Sequence, residues 1–170
     1  AMISVGIISA QIGGRAIWTI PSSFVLIMIV GGVIGIYAEM NQLLKSVALN
    51  EIGKTFILAD FLYLLIEIGI LVSVTALGLA IAIEKKLPVG ITIIFVGIFG
   101  FFHGSAHGLE MPWAANPFLF ALGFATGTAT LHIFGVMIGF FAIKTKLSIV
   151  ILRITGICFA GIGIYSLINL

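Results

Sequence analysis

Long stretches of this chain, at 17–38, 61–83, 87–111, 117–143 and 147–169, are built of apolar residues with hardly a charge among them. About 20 such residues in a helix cross the hydrocarbon core of a bilayer. Backbone polar groups must be satisfied internally there, and runs of this length predict helices. Composition leaves no water-soluble alternative. Of the 170 residues, 61% are hydrophobic and only 8% are charged, where soluble domains carry about 25%. Too little polar side chain remains to cover a soluble fold of this size. The expected fold class is all-α: a polytopic transmembrane helix bundle forming a single domain over 1–170, with the lipid bilayer as its first partner.

"AMISVGIISA" opens the chain as an apolar segment half as long as a span needs. It lacks the basic n-region and cleavage site of a signal peptide. Residues 1–12 therefore read as the second half of a helix, giving six helices with the first truncated. "EMNQLLKSVALNEIGKTFILAD", residues 39–60, predicts the one long polar connection, with room for a short amphipathic surface helix. Asn116 and Pro117 predict the N-cap and first helical residue of the fifth helix. Pro88 opens the helix before it in the same way, and Pro112 limits that helix at its far end.

Charge asymmetry sets the orientation. Alternating the spans gathers Arg15, Lys85, Lys86, Lys144, Lys146 and Arg153 at one face. Lys45 and Lys54 fall on the other, offset by Glu39, Glu51 and Asp60. The positive-inside rule makes the first face cytoplasmic and puts the C-terminus outside. Tyr37, Tyr63, Trp113 and Tyr165 fall at the outer boundary and Trp18 at the inner one, as aromatic belts do. A net charge of +2 is too small and dispersed to suggest nucleic acid. No Walker A loop, Rossmann fingerprint or HExxH is present, so no nucleotide is expected. Cys158 stands alone, excluding an intrachain disulfide.

Small residues recur at four-residue spacing in Gly31/Gly35, Gly100/Gly104/Gly108, Gly123/Gly127, Gly135/Gly139 and Gly156/Ala160. This spacing lets helices approach closely in lipid and predicts a tight bundle. Association into a homo-oligomer stays open.

The polar residues inside the spans carry the functional signal. "HGSAHGLE" (103–110) ends the fourth helix at its outer side. At about 100° per residue, His107 lies about 40° from His103 and Glu110 about 20° from it on the other side. Two imidazoles and a carboxylate on one stripe suit a divalent first-row ion such as nickel, cobalt, zinc or iron. Glu67, in "LLIEIGI", lies at comparable depth in the third helix, where an unpaired carboxylate is expensive. It is a further ligand, a partner orienting a histidine, or an interhelical hydrogen-bonder. His132, in "TATLHIFGV", lies deeper, about 22 Å into the fifth helix at 1.5 Å per residue. It is either a second station along a permeation route or a hydrogen-bond partner of Thr128.

"FHGSAHGLEMP" (102–112) resembles a signature of the HupE/UreJ family of bacterial membrane proteins. "VGIISAQIGGRAIWTIPSSFVLIMIVGG", "EIGILVSVTALGLAIAIEKKLP" and "ALGFATGTATLHIFGV" are similar to its other helices, so the likeness covers nearly the whole chain. The resemblance implies uptake of nickel or cobalt for hydrogenase and urease, without ATP hydrolysis. It matches His103, His107 and Glu110 to the family's histidine-rich signature, and Glu67 and His132 to its polar positions in helices three and five. Members also carry a His-Pro-x-x-Gly-x-Asp-His motif on the first helix, and the expectation is that this motif immediately precedes Ala1.

The leading expectation is thus an inner-membrane permease passing a divalent transition metal ion from periplasm to cytoplasm, with metal ligands His103, His107, Glu110, Glu67 and His132. A different class competes with it: an intramembrane zinc hydrolase, using two histidines and a glutamate to activate water. A third reading is a membrane accessory protein for hydrogenase or urease assembly, which needs no buried ligands.

Overall fold

The computed structural model describes the chain except residues 50, 51, 85, 86 and 113, and the side chains of 42–49 and 52–59. Glu51, Lys85, Lys86 and Trp113, and the side chains of Lys45 and Lys54, lie outside the described residues. The described residues form six helices: α1 (Met2–Ile12), α2 (Ala16–Leu49), α3 (Ile52–Ile83), α4 (Val89–Leu109), α5 (Pro117–Ala142) and α6 (Lys146–Ile168). Five of them, α2 to α6, are long and apolar enough to cross a membrane.

The short helix is the hub. Every residue of α1 from Ser4 to Gln11 is buried, which is how a helix apolar on all sides behaves. It packs chiefly on α5 and also touches α2 and α3, while α2 pairs with α4 and α3 with α6. Ser9 Oγ donates to Val5 O at 2.6 Å, so its hydroxyl brings no unpaired donor into the core. Around this hub Phe24, Ile20, Met28, Ile81 and Val96 are fully or almost fully buried.

Glycine makes the pairings close. A β-carbon on Gly104 would collide with the Met28 carbonyl oxygen and one on Gly108 with that of Gly32, so α2 and α4 meet backbone to backbone. Gly6 against Gly135 does the same for α1 and α5, and Gly78 against Gly156 for α3 and α6. One expected pair behaves differently. Gly123 and Gly127 have no neighbouring atom within 4 Å, because they lie on the unpacked side of α5.

The 39–60 connection is not a loop carrying a separate surface helix. The two flanking helices run through it, with α2 reaching Leu49 and α3 starting at Ile52. Residues 39–49 contain neither glycine nor proline and are rich in helix formers, so nothing stops α2 at the membrane boundary. The turn from α1 to α2 uses Gly13 and Gly14 at φ +80° and +59°, a region open to glycine. Pro88 is the N-cap of α4 and Val89 its first residue. Arg153 Nη2 meets Glu84 Oε2 at 3.4 Å, joining α3 to α6 at the basic end. Lys144 Nζ lies over the rings of Phe140 and Phe141, 4.6 Å and 4.8 Å from their centroids, where the ring faces attract its charge.

Asn116 caps α5 as the sequence suggests. Its Oδ1 accepts from the backbone N–H of Phe118 at 3.0 Å and of Leu119 at 3.2 Å, with Pro117 as first helical residue. An Asn116→Ala variant is expected to lose about 1 kcal/mol of stability, read as a lowered unfolding midpoint in detergent.

Candidate metal centre

Two histidines from two helices converge on one aromatic ring. The His103 ring lies 6.0 Å from that of Phe24, and the His132 ring meets Phe24 edge-on at 5.0 Å and 85°. The Gly104 contact presses α4 onto α2, which brings His103 to Phe24. His107 lies one turn from His103 toward the C-terminal end of α4, 6.0 Å between centroids, and stacks on Phe124 of α5 at 5.4 Å and 15°.

His132 is the most constrained of the three. It is 2% exposed, and its Nδ1 lies 2.8 Å from the carbonyl oxygen of Met2. The Gly6–Gly135 contact holds α1 against α5 there, so this bond is built into the packing. A carbonyl can only accept, so Nδ1 carries the proton and Nε2 of the neutral ring presents a bare lone pair. That Nε2 is buried and has no hydrogen-bond partner, and the same is true of His103 Nδ1. A carbonyl fixing one ring nitrogen while the other stays free is the arrangement that orients histidines toward metals. Of the two readings of His132, the hydrogen bond to Thr128 is not made. Thr128 Oγ1 instead faces Met28 Sδ at 3.5 Å and Met2 Sδ at 3.7 Å.

The carboxylates are elsewhere. Helix α4 ends at Leu109, ahead of Pro112, so Glu110 leaves the helical stripe and is exposed, its backbone N–H donating to Ala106 O while that of Met111 donates to Gly108 O. Glu67 is exposed on α3, whose main partner is α6 rather than α4. Among the described residues, no three His, Cys, Asp or Glu side chains gather as a metal cluster. Tyr63 Oη donates to Glu39 Oε2 at 3.3 Å, joining α3 to α2. Phe24 and the Met2 carbonyl, which contact these histidines, and Met28, which faces Thr128, look like ordinary span residues in the sequence.

A family model described as HupE / UreJ protein matches residues 1–44 and 37–166. Protein HupE of Rhizobium leguminosarum bv. viciae is 35% identical over 136 residues, 80% of this chain. The chain spans 60% of that relative's length. No solved structure matches.

Proposed function

The chain belongs to the HupE/UreJ protein family, and on that premise we propose that it is a multi-pass permease passing a transition metal ion, nickel or cobalt, from periplasm to cytoplasm for metalloenzyme maturation. One observation carries the reading: His103 Nδ1 and His132 Nε2 are buried and unpartnered inside one bundle. Buried polar atoms are nearly always satisfied, and an ion in transit would satisfy both.

In this reading Glu110 and Glu67, exposed toward the outer end, attract the cation. His107 takes it as water is shed, and it moves inward to His103 and His132. Few, exchangeable ligands suit conduction, because an ion held too firmly does not leave. The basic end, with Arg15, Lys144, Lys146 and Arg153, faces the cytoplasm of a bacterial inner membrane, and the C-terminus faces the periplasm.

The test is uptake of Ni²⁺ or Co²⁺ into vesicles carrying the reconstituted protein, followed by quenching of an enclosed metal-sensitive dye. The parent is expected to quench well above protein-free vesicles. His103→Ala is expected to slow uptake at least about tenfold, since losing even a ligand's outer partner costs metal sites that much. Equal rates for variant and parent, or for parent and empty vesicles, would refute the proposal.

A further inference from the structure

The Phe24 level of the bundle gathers soft and borderline donors without an acid. Thr128 and His132 lie one turn apart on the buried face of α5, both 2% exposed. Met28 lies one turn from Phe24 on α2 and is wholly buried. Its sulfur faces the Thr128 hydroxyl at 3.5 Å, and the Met2 sulfur faces the same hydroxyl at 3.7 Å. His103 and His132, each with an unpartnered buried nitrogen, both pack on Phe24. A buried methionine alone is ordinary core filling. Two thioethers facing one hydroxyl, a turn along α5 from one of two unsatisfied imidazoles that share the Phe24 ring, are not.

We propose that His103 Nδ1, His132 Nε2 and the Met28 thioether, with Met2 beside it, form a site for a soft monovalent ion, copper(I). The inference goes beyond nickel or cobalt by naming a second ion class. It rests on the permease reading only in treating this interior as an ion route.

Ligand type and charge lead to the same ion. Thioether sulfur selects copper(I) among biological metals, while imidazole serves copper, nickel and zinc alike. Among the described residues no carboxylate gathers with the two histidines, so an ion here keeps its full charge in a low-dielectric interior. The cost of that burial grows with the square of the charge, making a divalent ion about four times as expensive as a monovalent one. Copper(I), with a closed shell, also accepts two, three or four donors without a strict geometry. Met2 contributes twice, its carbonyl fixing the His132 tautomer and its sulfur lying by Thr128.

The test uses the whole chain in detergent, anaerobically, with Cys158→Ser throughout to remove the thiol. Copper(I) is supplied as its bicinchoninate complex, and the protein competes for it. One copper(I) per chain is expected, with a sulfur scatterer in the copper X-ray absorption spectrum. Met28→Leu, close in volume, is expected to weaken binding at least tenfold and diminish that sulfur signal. Unchanged affinity in Met28→Leu, or a copper shell without sulfur in the unsubstituted site, would overturn the site; the spectrum needs no variant to fold. Ni²⁺ uptake measured alongside separates the two readings. Copper(I) binding that depends on Met28 without Ni²⁺ uptake upholds the site and removes the permease. Uptake without Met28-dependent copper(I) binding removes the site and keeps the permease.

Discussion

A His132→Asn variant is expected to fold as the parent does and to lose metal uptake at least about tenfold, the order seen when metal sites lose a supporting group. Asparagine can still donate an amide N–H toward the Met2 carbonyl that His132 Nδ1 now meets at 2.8 Å. It has no counterpart of the bare Nε2. Stability and transport therefore separate in this variant, as they do not in His132→Ala. Alanine abandons the Met2 carbonyl in a buried setting, at about 1–3 kcal/mol, and so impairs folding as well. Adding His103→Ala to His132→Asn should reduce uptake little further, because groups acting on one ion are strongly non-additive. Additive losses would mean two independent sites. Uptake by His132→Asn at the parent rate would leave the histidine a structural role only, and the reading of the bundle as an ion path would lose its main support.

The spans, the Asn116 cap and the histidines are legible in the sequence because each depends on local rules. A membrane span needs only length and apolarity, and an N-cap needs only its own side chain and the next three residues. Glu110 misled for a local reason as well: the 100° increment applies only while the helix lasts, and α4 ends one residue short of it. Glu67 misled for a distant one, since the sequence does not say that α3 spends its contacts on α6. The partner of His132 was invisible on similar grounds. Thr128 is its neighbour on the helix, but the acceptor that fixes its tautomer is a backbone carbonyl some 130 residues away. Any residue type offers such a carbonyl, so no letter at position 2 announces it. Phe24 and Met28 matter for where they stand, and that is set by helix pairing rather than by their own chemistry.

Gly104→Ala and Gly127→Ala are the same substitution at the same kind of sequence position, and they are expected to give opposite results. Both glycines belong to four-residue small-residue repeats. At Gly104 a β-carbon would overlap the Met28 carbonyl oxygen and lie 2.7 Å from its carbon and 2.9 Å from the Gly32 nitrogen. These are backbone atoms of a helix in the core, with no flexible end to swing aside. Helix α2 would have to move from α4, taking Met28 and Phe24 from the side chains they face. Overpacking ordinarily costs about 1–3 kcal/mol, and the upper end or beyond is expected here, together with loss of metal uptake. At Gly127 nothing lies within 4 Å, so only backbone propensity acts, and alanine is favoured over glycine inside a helix by up to about 1 kcal/mol. Gly127→Ala should therefore be neutral or stabilising and transport normally. Unfolding in mixed micelles by added sodium dodecyl sulfate measures both, and similar midpoints for the two variants would mean that the α2–α4 contact is looser than the backbone-to-backbone approach on which the placement of His103 depends.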